Sequence, residues 1–306
     1  MTGILQDKVA VITGGSRGLG FAIAEAYVRE GAKVIIASRS LRSVHEAVGK
    51  LQVNGAQVAG QACDVAEIQQ VEELADFAVR TFGRIDIWVN NAGLSAPYGP
   101  TAHIPTDEFL KVIDTNITGT YNGSVVALRK MSAQKNGKVI NLLGRGDTGS
   151  VPLQNAYSSS KIWVRNFTKA LAQEYKGSGI EIIGFNPGLV KTEMLSQVDA
   201  VSGFEEKLSP LSFIAAMWGN TADVPAEKAL WLASSATDGR TGLMVSVLTP
   251  GLMLKGLFTV GLRRLLRLPI DLLELNVKAV EPVQELAPVY IEEKNTNPVH
   301  FGKEQN

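Results

Sequence analysis

Short apolar runs recur along the chain, each closed by glycine, asparagine or a charged residue and each followed by a longer stretch of helical periodicity. Runs that are apolar at successive positions, without alternation, predict strands covered on both faces. They fall at 8–13 (KVAVIT), 33–37, 57–62, 85–89, 138–142, 180–185 and 243–248. Between them, apolar spacing predicts helices running to about residue 29 and over 66–82, 106–131, 155–175 and 225–233. Gly31 closes the first of these, and Thr106 or Asp107 are candidate N-caps for the long third one. This alternation predicts an α/β fold: a doubly wound, mostly parallel, seven-stranded sheet with helices on both faces. Ligands of such sheets sit beyond the carboxyl ends of the strands.

The chemistry-bearing motifs lie at those ends. The first strand breaks into TGGSRGLG at 13–20 and leads straight into a helix. Gly14 permits the tight turn, Gly18 lets backbone approach a cofactor, and Gly20 lets the helix pack closely on the sheet. The helix-terminal N–H groups then favour a pyrophosphate. Further strand ends read Cys63-Asp64-Val65, Asn90-Asn91-Ala92-Gly93 and Asn186-Pro187-Gly188. In the helical pattern at 155–175, Tyr157 and Lys161 are four residues apart and share one face. An ammonium beside a phenol favours the phenolate and brings it towards acid–base range at neutral pH. On spacing alone such a pair is more often a solvated helix face; its value here comes from the company it keeps.

Composition removes several function classes. Among 306 residues, 30 basic and 30 acidic side chains leave a net charge of zero, which excludes bulk attraction to nucleic acid. The single cysteine, Cys63, has no disulfide partner, and three scattered histidines (His45, His103, His300) give no metal-ligand spacing. No basic segment followed by a long apolar run opens the chain, so a cytoplasmic, reducing setting is expected.

In order, TGGSRGLG, Asp64-Val65, NNAG at 90–93, Asn116, YSSSK at 157–161 and Pro187-Gly188 followed by Thr192 resemble the short-chain dehydrogenase/reductase family over residues 8 to about 248. The resemblance implies a Rossmann-type sheet and hydride transfer between a nicotinamide cofactor and a carbonyl or alcohol. By the same resemblance, Tyr157 is the acid/base, Lys161 lowers its pKa and binds the nicotinamide ribose, and Asn116 supports a water that replenishes protons. Gly14, Ser16, Arg17, Gly18, Leu19 and Gly20 would hold the pyrophosphate end, Asp64 and Val65 the adenine, and Asn91, Ala92 and Gly93 the cofactor's length. Pro187, Gly188, Val190 and Thr192 would frame the nicotinamide.

One position departs from the family pattern. A serine that polarises the substrate carbonyl is usual about thirteen residues before the tyrosine, and Gly144 stands there. Glycine has no side-chain donor. Losing one such donor typically costs about 3–4 kcal/mol of transition-state stabilisation. Thr148, Ser150 or Asn155 could replace it, or the substrate could use the room that Gly144 leaves. The alternative is an NADP(H)-binding sensor or scaffold with weak or no catalysis.

Cofactor choice rests on the second strand. An NAD reader carries an acid at its end, whereas this chain has Ser38 and Arg39 there and Arg17 in the glycine turn. A hydroxyl and two guanidinium groups suit a 2′-phosphate, so NADP(H) is the expected cofactor.

Residues 1–248 are expected to form the dinucleotide-binding domain, with a substrate lid at about 193–220. The lid's Met194, Leu195, Phe204, Leu208, Leu211, Phe213, Ile214, Met217 and Trp218 fit either an apolar roof over a small hydrophobic carbonyl or alcohol, or plain helical packing. Residues 249–306 form an extension. Within it, 256–268 places Leu257, Phe258, Gly261, Leu262, Leu265 and Leu268 on one helical face and Arg263, Arg264 and Arg267 on the other. Peripheral contact with an anionic membrane is one reading; the expected one is a helix packed on its own sheet or on a neighbouring subunit. Beyond residue 281, an extended arm and tail are expected. The resemblance implies a homodimer through the helices carrying Asn116 and Tyr157, with a tetramer as the larger alternative.

Overall fold

The computed structural model describes residues 3–53 and 55–283; the tail expected further on lies outside them. The chain runs β1 (Val9–Thr13), α1 (Gly18–Arg29), β2 (Lys33–Ser38), α2 (Leu41–Leu51), β3 (Val58–Ala62), α3 (Ile68–Phe82) and β4 (Ile87–Asn90). It continues through α4 (Thr106–Val112), a π turn (Ile113–Thr118), α5 (Gly119–Gln134), β5 (Gly137–Leu142), α6 (Asn155–Glu174), β6 (Ile180–Asn186) and β7 (Leu189–Val190). Then come α7 (Glu193–Ser196), β8 (Gln197–Val201), α8 (Ser209–Trp218), β9 (Gly219–Asn220), α9 (Asp223–Ala233), β10 (Met244–Ser246), α10 (Pro250–Leu265) and β11 (Asn276–Val280).

Seven strands form one parallel sheet in the order β10-β6-β5-β4-β1-β2-β3. Chain order reverses between β1 and β4, and the crevice beyond their carboxyl ends is where ligands of such sheets bind. Side chains alternate across the sheet, as the two-residue period of a strand requires. Ala10, Ile12, Val34 and Ile36 pack with Ile23 and Tyr27 of α1, Val44 of α2 and Leu230 of α9. Val11, Ile35, Trp88 and Val139 pack on the other face with Leu74 of α3, Met131 of α5 and Leu171 of α6. Each large side chain buried this way contributes roughly 1.5–3 kcal/mol.

A buried polar network ties the second layer to the strand ends. Asn141 of β5 accepts from Asn90 Nδ2 at 2.8 Å and donates to Thr168 Oγ1 of α6 at 3.0 Å. Asn90 in turn accepts from Trp88 Nε1 at 2.8 Å and donates to Ser124 Oγ of α5 at 3.0 Å. Every member is satisfied, so the network fixes where α5 and α6 sit.

Several local features differ from the sequence expectations. Helix α2 is an additional element, capped by Ser40, whose hydroxyl accepts from Ser43 N at 3.2 Å. Thr106 is the first residue of α4, not its cap; Pro105 precedes it with no side-chain cap, and Asp107 lies in the first turn. The last helix starts at Pro250, not 256, because Thr249 caps it and proline suits its first position.

The extension covers residues 193–220. β11 pairs in parallel with β8 over Asn276↔Gln197 to Val280↔Val201, and Tyr98 bridges to Ala200 on the same strand. Val283 N reaches His103 O at 3.4 Å. α10 packs on α8, where a Cβ on Gly256 would strike Met217 O and Trp218, and Trp218 Nε1 donates to Met253 O at 3.1 Å. This helix, expected on its own sheet or on a neighbouring subunit, packs within the chain on α8 and not on the sheet.

Candidate active site

The glycine turn and the loop after β4 are bound to each other. Thr13 Oγ1 accepts from Asn91 N and Ala92 N, both at 3.1 Å, and Asn91 Nδ2 donates to Thr13 O at 2.9 Å and Gly14 O at 3.1 Å. Gly14 and Gly18 have φ of +63° and +56°, which only glycine adopts readily. A Cβ on Gly20 would overlap Gly14 O and the Asn91 amide, as close helix packing demands. α1 has no side-chain cap from Arg17 and no acid in its first turn. Its first N–H groups are thus unpaired within the helix and aimed at the crevice, which fits a pyrophosphate.

Around this cradle the remaining motif residues take their places. The Thr192 methyl group lies 3.5 Å from where a Gly18 Cβ would stand, so the end of β7 closes over the turn. Gly188, at φ +72°, donates its N–H to Asn186 Oδ1 at 2.9 Å. Asp64 Oδ1 accepts from Ala66 N at 3.0 Å, and Asn122 Nδ2 holds Val65 O at 2.9 Å. Ser38 Oγ reaches Ser40 O at 3.5 Å. Arg17 pairs with Glu193 of α7 at 2.8 Å, an exposed bridge of small worth. Among the described residues no hydrogen bond or ion pair joins Arg17 to Ser38 or Arg39.

Asn116, Lys161 and the loop at Gly93 converge. The π turn presents a fully buried Asn116 whose Oδ1 accepts from Leu94 N at 2.8 Å and whose Nδ2 donates to Leu94 O at 2.9 Å and Ser160 Oγ at 3.0 Å. Its side chain clamps the loop to α6. A Cβ on Gly93 would lie 3.4 Å from Asn116 Oδ1 and 3.7 Å from Lys161 Nζ. Lys161 Nζ donates to Leu142 O at 3.0 Å and sits 5.6 Å from the Tyr157 ring centre. Burial pushes the Lys161 ammonium down to about 8, against the Asp147 carboxylate. Burial, helped by Asp147, pushes the Tyr157 phenol up to about 12. The expected lowering of the phenol by its neighbour is therefore reversed: removing both groups from water outweighs their proximity.

Gly144 faces this pair. A Cβ there would overlap the Tyr157 hydroxyl and come within 3.5 Å of Lys161 Cε. The three expected replacement donors, Thr148, Ser150 and Asn155, are all exposed; Asn155 lines a cavity with Tyr157 and donates to Thr101 Oγ1 at 3.2 Å. Two residues that the sequence reading did not single out, Asp147 and Arg165, hold the Gly144 loop together with Asn186. Buried Asp147 accepts from Arg165 Nη1 at 2.9 Å and from Asn186 Nδ2 at 3.1 Å, and Asn186 Nδ2 also reaches Gly144 O at 3.2 Å. An acid in a glycine-rich loop opposite a helical arginine was the only available signal.

The cavity, ≈ 220 Å³, is lined by Ala96, Pro97, Ile104, Phe109 and Leu153, with Gln154 and Asn155 as polar members beside Tyr157. None of residues 193–220 lines it. Its apolar wall comes from the loops before α4 and α6 and from Phe109 of α4. Leu208 is buried in the lid itself, and Phe204 lies edge-on to His103.

A family model described as short chain dehydrogenase matches residues 8–202. The Oryza sativa subsp. japonica protein named "Probable chlorophyll(ide) b reductase, chloroplastic" is 34% identical over 204 residues, 60% of this chain and 40% of that protein. The chain thus spans less than half that relative's length. A Brucella melitensis 3-ketoacyl-(acyl-carrier-protein) reductase complexed with NADH matches with a TM-score of 0.71 at 26% identity, over 79% of this chain and 97% of the other. An actinorhodin polyketide ketoreductase variant with NADPH matches at 0.72 and 27%, over 83% and 99%.

Proposed function

The chain belongs to the short chain dehydrogenase family, and from that premise we propose that it is an NADP(H)-dependent oxidoreductase acting on a small hydrophobic carbonyl or alcohol. The observation that carries this reading is the meeting of Tyr157, Lys161 and the Asn116-clamped Gly93 loop between an uncapped helix α1 and an apolar cavity. The three relatives described above are named as reductases, two of them for keto substrates.

A bound nicotinamide supplies the hydride or takes it up. The backbone of Gly14, Ser16, Arg17, Gly18, Leu19 and Gly20 would hold the pyrophosphate, and Asn91, Ala92, Gly93, Pro187, Gly188, Val190 and Thr192 would line the rest of the crevice beside Asp64 and Val65. With no carboxylate at 38–40, Ser38 and Arg39 leave room for a 2′-phosphate. Tyr157, protonated at neutral pH, gives its hydroxyl proton to the substrate oxygen in the reductive direction. Lys161, charged below about pH 8, steadies the phenolate left behind. The apolar cavity wall excludes water and favours a hydrophobic substrate. The helical stretch from α4 through the π turn to α5, which carries Asn116, and α6, which carries Tyr157, would form the contact of a homodimer.

The empty donor slot at Gly144 supports a second reading, an NADP(H)-binding sensor with little turnover. A panel of hydrophobic ketones and aldehydes separates the two. Carbonyl-dependent NADPH oxidation that disappears in Tyr157→Phe supports the enzyme; bound NADPH with no turnover across the panel favours the sensor.

A further inference from the structure

Helix α10 leaves an apolar stripe uncovered. It packs on α8 through Gly256 and Val260, the latter 5% exposed. On the opposite side Leu254, Phe258 and Leu265 are 68%, 72% and 79% exposed, with Gly261 between them and Leu257 and Leu262 at the margins. Positions 254, 258, 261 and 265 follow the helical repeat, so the stripe points straight away from the body. The sheet and residues 193–220 are already covered without it, so solubility and folding of the core do not explain five large apolar side chains in water.

The charges beside the stripe are of one sign. At about 100° per residue, Lys255 and Arg264 lie roughly 80° and 100° to either side of it. Arg263 and Arg267 gather at the helix end. No acidic residue occurs from 249 to 270, and among the described residues none of these four cations is ion-paired. The chain's net charge is zero, so this basic segment is a local device. A second copy of α10 laid on this stripe would bring cations against cations with no acid to answer them. An anionic lipid surface answers both features: apolar side chains enter the boundary between headgroups and acyl chains, and the flanking cations meet phosphate. The helix spans about 24 Å at 1.5 Å per residue, and no helix among the described residues is long and apolar enough to cross a membrane.

We propose that α10 seats this protein on an anionic bilayer, lying parallel to its plane with Leu254, Phe258 and Leu265 inserted and Lys255 and Arg264 on lipid phosphates. The contact reverses the sequence-based preference for a buried helix because the structure leaves that face open.

Flotation of the full chain with phosphatidylcholine vesicles, with and without phosphatidylglycerol, tests it. The protein should float with phosphatidylglycerol vesicles at least about 10-fold more than with phosphatidylcholine alone, and less in high salt. Phe258→Asp with Leu265→Asp, and separately Lys255→Glu with Arg264→Glu, should each abolish flotation while thermal melting stays unchanged. As an independent readout, a dye on Phe258→Cys should shift to the blue on adding phosphatidylglycerol vesicles; Cys63 is buried and does not compete. Wild-type protein that never floats overturns the proposal. So does an oligomer, measured by sedimentation, that Phe258→Asp with Leu265→Asp dissociates, since the face is then a subunit contact.

Discussion

The Tyr157 hydroxyl occupies the space into which any side chain on Gly144 would project. The missing serine is therefore more than a lost donor, because the phenol has taken its place. Restoring the hydroxyl with Gly144→Ser should displace Tyr157 and lower kcat for carbonyl reduction by about 10-fold or more, and Gly144→Ala should do the same. A rise in kcat for Gly144→Ser alone would show that only the donor was wanting. Steady-state kinetics of the two variants decide between these outcomes.

Reduction should slow above about pH 8, where Lys161 loses its charge. The Asp147 carboxylate favours the ammonium, so Asp147→Asn should move that limb of the pH profile to lower pH. The profile of kcat/KM for the two proteins measures the shift; an unmoved limb would assign it to another group.

Stability should carry a related signature. Lys161 is lowered from 10.5 to about 8, so above pH 8 the unfolded chain binds a proton that the folded one lacks, and stability rises by up to about 1.4 kcal/mol per unit. Cys63, raised from 9.0 to about 12, cancels the rise from pH 9, and Tyr157, raised from 10.0 to about 12, turns it into a fall above pH 10. Urea midpoints from pH 7 to 11 should thus rise to pH 9, level off, then drop. Lys161→Met should remove the rise and leave the drop.

Cofactor preference should follow the end of β2. Ser38→Asp combined with Arg39→Leu should cut the ratio of kcat/KM for NADPH over NADH by about 10-fold or more, the carboxylate repelling a 2′-phosphate and accepting a ribose hydroxyl. An unchanged ratio would return Arg39 to the solvated surface.

Asn141→Leu should cost about 1–3 kcal/mol, read by urea unfolding, because one Asn90 Nδ2 hydrogen and the accepting side of Thr168 Oγ1 lose their partner in a dry core, while Asn90 keeps Ser124 Oγ and Thr168 keeps Val164 O. Cofactor affinity and turnover should fall less than stability if the network only seats α5 and α6.

Much of the sheet and most of the strand-end motifs could be read directly from the chain. Parallel strands such as VAVIT and KVIIAS are contiguous apolar runs, and their glycine and asparagine termini announce the crevice. What escaped depended on partners distant in sequence. Helix α2 shows only Val44, Ala47 and Leu51 as its buried face amid polar residues, too few to stand out. Thr249-Pro250 carried a cap and a first-turn proline, so the true start of α10 was there to be found. All of the apolar cavity wall but Phe109 came from loops without periodicity, and the pKa shifts of Tyr157 and Lys161 follow from burial, which spacing does not reveal. Gly144 announced an absence but not the phenol that fills it.

The pairing of β11 with β8 sets an order of events in synthesis. The glycine turn, the Asn116 clamp and the Tyr157 helix all lie upstream of residue 197, and can assemble while the chain is still emerging from the ribosome. β8 then has to wait for 276–280 before it gains its neighbour, a long loop to close for five paired residues. A nascent molecule therefore holds its glycine turn, Asn116 clamp and Tyr157 helix before the last of the described strands arrives to pair with β8.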